Sequence, residues 1–348
     1  LNSPQIAEMA DAQMWRVMAH TDAGNYAAAR ADALASEAIY TDYPDWVRQD
    51  FLFAAVTAAL ETGDTETASR FLGQITTSGL DLEGLSRFEL LSARIDEAAG
   101  RFDEALDTLG QVISIDVRPT RVEAIYRTMK ILERMGRLDP ARAAETLATE
   151  VMIWRGDELE ADMLQLLAEQ YFLTASYREA FETVQMASVA HPDDPSTERM
   201  LNQARTEFAD LYLNGLADSL EPIDALTLYY DFRNLTPSGA RGDEMIRNLA
   251  RRLVKVDLLE QAGELLRYQI DNRLEGAARA QIAADLAIVH LANRDPEKSL
   301  QALRDTRISG LPPALDRQRR ILEARALIDA GRDELALDIL SSMDGRDA

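Results

Sequence analysis

The sequence predicts an all-α fold, a right-handed superhelical solenoid of antiparallel helix hairpins, with about nine repeats of 36–39 residues. Two observations predict it. One short joint recurs along the chain, a small residue or turn followed two positions on by a large apolar residue and five positions on by alanine. On either side of the joint, apolar residues fall at helical spacing, which leaves no room for the alternation a strand needs. The composition agrees, with 47% hydrophobic residues but only 6% aromatics, as suits helices packed closely through small side chains.

Taken in order, the first joints are Gly24-Asn25-Tyr26 to Ala29, Gly63-Asp64-Thr65 to Ala68, Gly100-Arg101-Phe102 to Ala105 and Gly136-Arg137-Leu138 to Ala141. Further copies are Ala175-Ser176-Tyr177 to Ala180, Asp257-Leu258-Leu259 to Ala262, Arg294-Asp295-Pro296 to Ser299 and Gly331-Arg332-Asp333 to Ala336. Each has a physical purpose: glycine ends the first helix in a left-handed state that costs other residues more, and alanine lets the second helix approach. The fifth hairpin shows both flanks, with Leu164, Leu167, Ala168 and Tyr171 before the turn and Ala180, Val184 and Ala187 after it.

The rhythm breaks once. Between the Ala175 and Asp257 turns lie 82 residues, with only a degraded joint at Leu220-Glu221-Pro222 to Ala225, and Pro222 and the loop 234–242 are strong breakers. The expected organisation is a first sub-array over 1–213, an irregular junction over 214–242 and a second sub-array over 243–348.

These features resemble the tetratricopeptide repeat family. The stretch Ala161 to Asp194 matches best, with Leu164, Leu167, Ala168, Tyr171, Tyr177, Ala180, Val184, Ala187 and Pro192 on the family positions and Ala175 in place of the turn glycine. The segment Tyr229 through Asn272 is similar to long tetratricopeptide proteins of Gram-negative bacteria. With Leu1 first and Met343-Asp344-Gly345-Arg346 near the end, the chain reads as an internal fragment of such a protein. That resemblance favours a periplasmic or envelope location over the cytoplasm, whereas the lack of cysteine fits either compartment.

The net charge of −23 argues against nucleic acid, which needs a positive face, and no segment is apolar enough to insert into a membrane. The charge is uneven: acids outnumber bases 43 to 21 in residues 1–250 but only 17 to 16 in 251–348. No hydrolase, transferase, dinucleotide or phosphate-loop signature occurs, so neither catalytic residues nor a cofactor is assigned. His20, His191 and His290 fall in different repeats without a second ligand at helical spacing, so no metal site is assigned either. Arg241-Gly242-Asp243 looks like an adhesion tripeptide but reads as a helix start, and Asp193-Asp194 as a junction turn feeding the helix at Ser196.

In the family, the first helix of each hairpin lines the concave face and supplies ligand contacts. Aligned on the turns, the residue six before each is Arg94, Lys130, Arg251 and Arg325 in four repeats, and neighbouring positions add Arg87, Tyr126, Arg127, Arg134, Arg247 and Lys255. The sequence leaves two readings of these cations open: contacts for a partner segment, or ion pairs with glutamates of adjacent helices. The leading expectation is a non-catalytic scaffold that binds a protein or peptide segment, acidic in character, along Arg87, Arg94, Tyr126, Arg127, Lys130, Arg134, Arg247, Arg251 and Lys255. The alternatives are a helical platform of a larger cell-envelope enzyme and an architectural element that self-associates through its ends.

Overall fold

The computed structural model describes residues 9–344. Among them there is no strand, and the chain divides after residue 175 into two compact units. The first holds α1 (Ala10–Asp22), α2 (Tyr26–Ala35), α3 (Asp45–Glu61), α4 (Thr65–Leu72), α5 (Leu82–Ala98), α6 (Phe102–Ile115), α7 (Thr120–Arg134), α8 (Pro140–Ile153) and α9 (Glu158–Leu173). The second holds α10 (Tyr177–Ala190), α11 (Pro195–Leu213), α12 (Pro222–Asp231), α13 (Ala240–Lys255), α14 (Leu259–Asn272), α15 (Gly276–Ala292), α16 (Pro296–Asp305), α17 (Pro313–Asp329) and α18 (Asp333–Asp344). Apart from α9 and α10, which belong to different units, odd-numbered helices open the hairpins and even-numbered ones close them. Within each unit, helices pack on their neighbours in sequence, and first helices also pack on the next first helix, as α1, α3, α5 and α7 do.

All eight expected turn residues adopt the left-handed conformation, from Gly24 at φ +70° to Gly331 at +73°. Five are glycines in an open surround; Gly100, for instance, has space where a Cβ would go, so its need is one of backbone and not of room. Ala175, Asp257 and Arg294 hold the same conformation at φ +56°, +64° and +58°. The turn recovers a hydrogen bond: the amide after it reaches back five residues, as Asn25 N does to His20 O (2.8 Å) and Arg101 N to Asp96 O (2.9 Å).

The alanine rule survives with one correction. Ala29, Ala68, Ala105, Ala180, Ala262, Ser299 and Ala336 are all buried, but Ala141 is exposed and Ala143 takes the interior place. The cause is local. Asp139 accepts from the amides of Ala141 and Arg142, and Pro140 opens α8, so this helix starts four residues after its turn instead of two. Counted from the helix start, the pattern is uniform: the fourth residue of each second helix is small and buried, including Ala225 of α12. Those positions advance by 37 to 39 residues, except for one step of 45 between Ala180 and Ala225.

That longer step explains the broken rhythm. Gly215, at φ +80°, makes the turn after α11, but a 3-10 turn over Leu216–Ser219 delays the next helix to Pro222. Arg252 of α13 holds the inserted turn, donating to the carbonyls of Ala217 and Leu220 and lying 3.5 Å from the Asp218 carboxylate. The core beside it adds rings to the small residues. Phe181 meets Phe208 edge-on at 5.4 Å and Phe232 at 5.2 Å, and Tyr212, next to Phe208, donates its hydroxyl to the Ala225 carbonyl (2.8 Å). Residues 214–242 thus lie inside the second unit and contain a full helix.

The tripeptide Arg241-Gly242-Asp243 occupies the first turn of α13, which begins at Ala240. Asp243 does not cap it; it pairs with Arg273 at 2.8 Å, and Arg241 pairs with Asp210 at 2.6 Å. Gly242 is required by packing, since a Cβ there would meet the Pro237 carbonyl oxygen at 2.0 Å. Asp194, as the junction reading expects, caps α11 through the Ser196 amide.

Candidate partner-binding face

In the first unit the cationic stripe lies on α5 and α7. Asp81 starts α5 by accepting from the Gly84 amide, and the helix then buries Leu90, Leu91, Ala93 and Ile95, which turns Arg87 and Arg94 along a different stripe. Arg87 lays its guanidinium over the Phe53 ring of α3, 4.7 Å from the centroid, where burial lowers its pKa. Arg94 is only 11% exposed and joins Glu61 of α3 (2.5 Å) to Glu123 of α7 (3.7 Å). Arg127 binds the same Glu123 (2.7 Å) and Glu97 of α5 (3.0 Å). Glu61, Arg94, Glu123, Arg127 and Glu97 therefore form one chain of alternating charge across three successive first helices.

The remaining predicted residues of α7 are engaged more locally. Lys130 pairs with Glu133 one turn on (2.5 Å), and Arg134 covers the Phe102 ring of α6 at 5.5 Å. Tyr126 is half-buried, and burial followed by the nearby Asp162 carboxylate drives its phenol far above the ordinary range. The partners Glu61, Glu97 and Glu123 were absent from the sequence reading. Aligning acids as well as bases on the turns finds Glu97 three residues before Gly100 and Glu123 thirteen before Gly136.

In the second unit Arg247, Arg251 and Lys255 share one face of α13, as their spacing requires, and their situation differs. Among the described residues none of the three has a carboxylate within 4.0 Å. Arg251 donates to the Asn248 side chain (3.0 Å), and the buried Nε of Arg247 has no hydrogen-bond partner. Asp285 of α15 feels Arg251 and Arg247, its carboxyl being pushed up by burial against the opposing pull of Gln281, Arg251 and Arg247. Arg251 and Lys255 also border a cleft of about 380 Å³ formed with Tyr212, Gly215 and Asp218.

The histidines stand apart. His20 closes α1 with its ring 3.9 Å from Asp32, His191 follows α10, and His290 lies half-buried in the last turn of α15. Among the described residues no cluster of His, Asp and Glu is arranged to hold a metal ion. No helix there is long and apolar enough to cross a membrane.

No family model matches the chain, and no curated protein matches it. Solved structures do. The TPR-like repeats of a putative kinesin light chain from Podosopora anserina are 20% identical, covering 59% of this chain and 99% of that one, at a TM-score of 0.38. The apo form of the quorum sensor NprR from B. thuringiensis is 12% identical, covering 96% and 99%, also at 0.38. NprR in complex with its cognate peptide NprX is 11% identical, covering 98% and 99%, at 0.37. The class is defined by this chain's own geometry: it is an all-helical array of helix hairpins that resembles the tetratricopeptide repeats, with the left-handed turn and the buried small residue repeated in register.

Proposed function

We propose that this chain is a non-catalytic protein-interaction scaffold, on which a segment of another protein lies along the layer of first helices. The observation behind the reading is the charge chain Glu61–Arg94–Glu123–Arg127–Glu97, because it makes α3, α5 and α7 a single surface with side chains at regular intervals. The first helices carry much of the packing, and it is the stripe of their side chains outside that buried face that can meet a partner. The nine predicted residues all lie on first helices, six on α5 and α7 of the first unit and three on α13 of the second; Arg94 and Arg127 are already held by glutamates, whereas Arg251 and Lys255 keep donors for a partner.

Hydrogen exchange on the complex with a partner captured by the intact chain tests this. Protection concentrated on the first helices, with the second helices unchanged, is the expected result; protection confined to second helices or inter-repeat loops would overturn it. A second reading, self-association, is favoured by Leu335 and Leu337 of α18, both more than half exposed. Light scattering across a concentration series decides it, since a mass independent of concentration excludes that route.

A further inference from the structure

The connections between hairpins of the first unit are unequal. Four residues join α6 to α7 (116–119) and four join α8 to α9 (154–157), so the array needs little chain there. Nine join α2 to α3 (36–44) and nine join α4 to α5 (73–81), each with a 3-10 turn, over Tyr40–Asp42 and Thr77–Gly79. Connections longer than packing requires are where a rigid scaffold tends to carry binding groups.

The two long connections meet and are pinned to the core. The Tyr40 ring, 7% exposed, stacks on Phe51 of α3 at 5.1 Å, and its hydroxyl donates to the Gln74 side chain of the second connection. Ile75 is buried, and Arg70 of α4 pairs with Glu37 of the first connection. Between the connections and the first turns of α3 lies a cavity of about 360 Å³. Leu52 and the Tyr40 ring are its apolar members, and its other side chains are polar. Thr41, Gln49, Thr76 and Ser78 line it, and among the described residues none of these four side chains hydrogen-bonds within the protein. Threonines in the adjoining helix behave differently: Thr57 and Thr62 donate to the carbonyls of Phe53 (2.9 Å) and Ala58 (2.8 Å). Gln49 reaches the second connection, its Nε2 standing 4.0 Å from the place a Cβ on Gly79 would take. The charged members, Asp45 and Arg48, pair with each other, so the lining carries no net charge in a protein of net charge −23.

We infer that this cavity binds a neutral sugar, one pyranose ring held by the hydroxyl and amide groups of Thr41, Gln49, Gln74, Thr76 and Ser78. Hydroxyls and carboxamides both donate and accept, as every sugar hydroxyl does, so the two sides match in either direction. The Asp45–Arg48 pair sets an acceptor beside a donor, which suits two adjacent ring hydroxyls. An anion would meet the field of the whole protein and a guanidinium already held by Asp45, and a cation would meet a carboxylate already held by Arg48. An apolar ligand would cover the unbonded hydroxyls without replacing their water. The volume stands at the small end of ligand pockets, which run from about 300 to about 1,000 Å³, so it suits a single ring and not a long glycan. Because Tyr40 and Ile75 already fix the walls, little ordering is left for the ligand to bring about. The site belongs to the connections between hairpins and does not depend on the scaffold reading.

The test is saturation-transfer NMR on the full chain with glucose, galactose, mannose and N-acetylglucosamine, beside glucuronate and glucosamine as charged analogues. The expected result is transfer to a neutral sugar, weaker for the charged analogues, with affinity lowered at least about tenfold by Gln49→Ala with Thr76→Ala. Gly79→Leu, at a position without positive φ and with room for a side chain, fills the cavity and should abolish binding. Gln111→Ala, exposed on α6, is the control, and an unchanged melting midpoint confirms that each variant folds. A free sugar and the end unit of a glycan share this chemistry. A tetrasaccharide ending in the bound sugar separates them: equal affinity assigns the glycan end and much weaker affinity the free sugar, and either result supports the site. No transfer to any neutral sugar, tighter binding of a charged analogue, or affinities unmoved by both the double variant and Gly79→Leu would overturn the inference.

Discussion

At the scale of single residues, the fold depends on two kinds of position. Ala105 and Ala143 are buried at the fourth residue of their helices, so Ala105→Leu or Ala143→Leu inserts a side chain where two helices meet and is expected to cost roughly 1–3 kcal/mol. Ala141→Leu, two residues away and exposed, should stay within about 0.5 kcal/mol in the same denaturant titration. The second kind is the left-handed turn. Gly100→Ala should destabilise by roughly 1 kcal/mol although space is open around it, and Asp257→Gly should stabilise by a similar amount because it relieves the same conformation. A third effect is titration. Burial first, and Arg267 second, hold the His290 imidazole below its ordinary value of 6.5, with Lys298 acting in the same direction and Asp295 against it. Above that value the ring is neutral in both states and contributes nothing. Below it the unfolded chain takes the proton more readily, so stability falls as the solution is acidified. The denaturation midpoint should therefore drop less between about pH 7.5 and about pH 5.5 in His290→Gln than in the unaltered chain.

At the scale of elements, arginine is used as a main-chain staple in the second unit. The Arg319 side chain of α17 is buried and donates to the Ala280 carbonyl (2.5 Å) in α15, to the Leu303 carbonyl (2.7 Å) and to the Thr306 hydroxyl (3.0 Å) at the end of α16. It satisfies the Leu303 carbonyl, one of the last four of α16 that the helix cannot bond internally, adds a second bond to the Ala280 carbonyl within α15, and so ties three elements together. Arg319→Met keeps the volume but leaves the Leu303 carbonyl without its donor, with an expected loss of roughly 1–3 kcal/mol. Arg325→Met on the same helix, exposed to solvent, serves as the comparison and should change the midpoint by less than about 0.5 kcal/mol. Equal losses would mean that Arg319 acts only through charge. Arg252 plays the corresponding part for the inserted 3-10 turn over Leu216–Ser219, which allows the array to absorb extra residues without losing the hairpin that follows.

At the scale of the whole molecule, 60 acids face 37 bases, so a large excess of carboxylates has no cationic partner and the chain repels itself. The melting temperature is expected to rise between about 20 mM and about 300 mM sodium chloride, because screening of that excess outweighs the weakening of exposed ion pairs. A melting temperature that falls over this range would show that ladders such as Glu61–Arg94–Glu123 outweigh the net repulsion. The far-ultraviolet circular dichroism spectrum should be that of a helical protein.

What the sequence alone determined is the repeating joint. Glycine in a left-handed turn and a small residue five positions later are local requirements of backbone and close packing, so they leave a mark at a constant spacing, and all eight turns stand where that mark puts them. The nine site residues were legible as first-helix positions for the same reason. Only the tertiary structure decided which of them are already engaged across helices: Glu123 stands one turn before Arg127 on α7, but the pairing of Arg94 with Glu61 and Glu123 and of Arg127 with Glu97 depends on which helices become neighbours. It also decided the shift from Ala141 to Ala143, where a capping Asp139 moved a helix start. The eight-residue excess before Ala225 became a stapled turn for a similar reason, since the arginine that holds it lies some thirty residues further along the chain. Local chemistry repeats in sequence, but the pairing of charges and rings depends on which helices become neighbours.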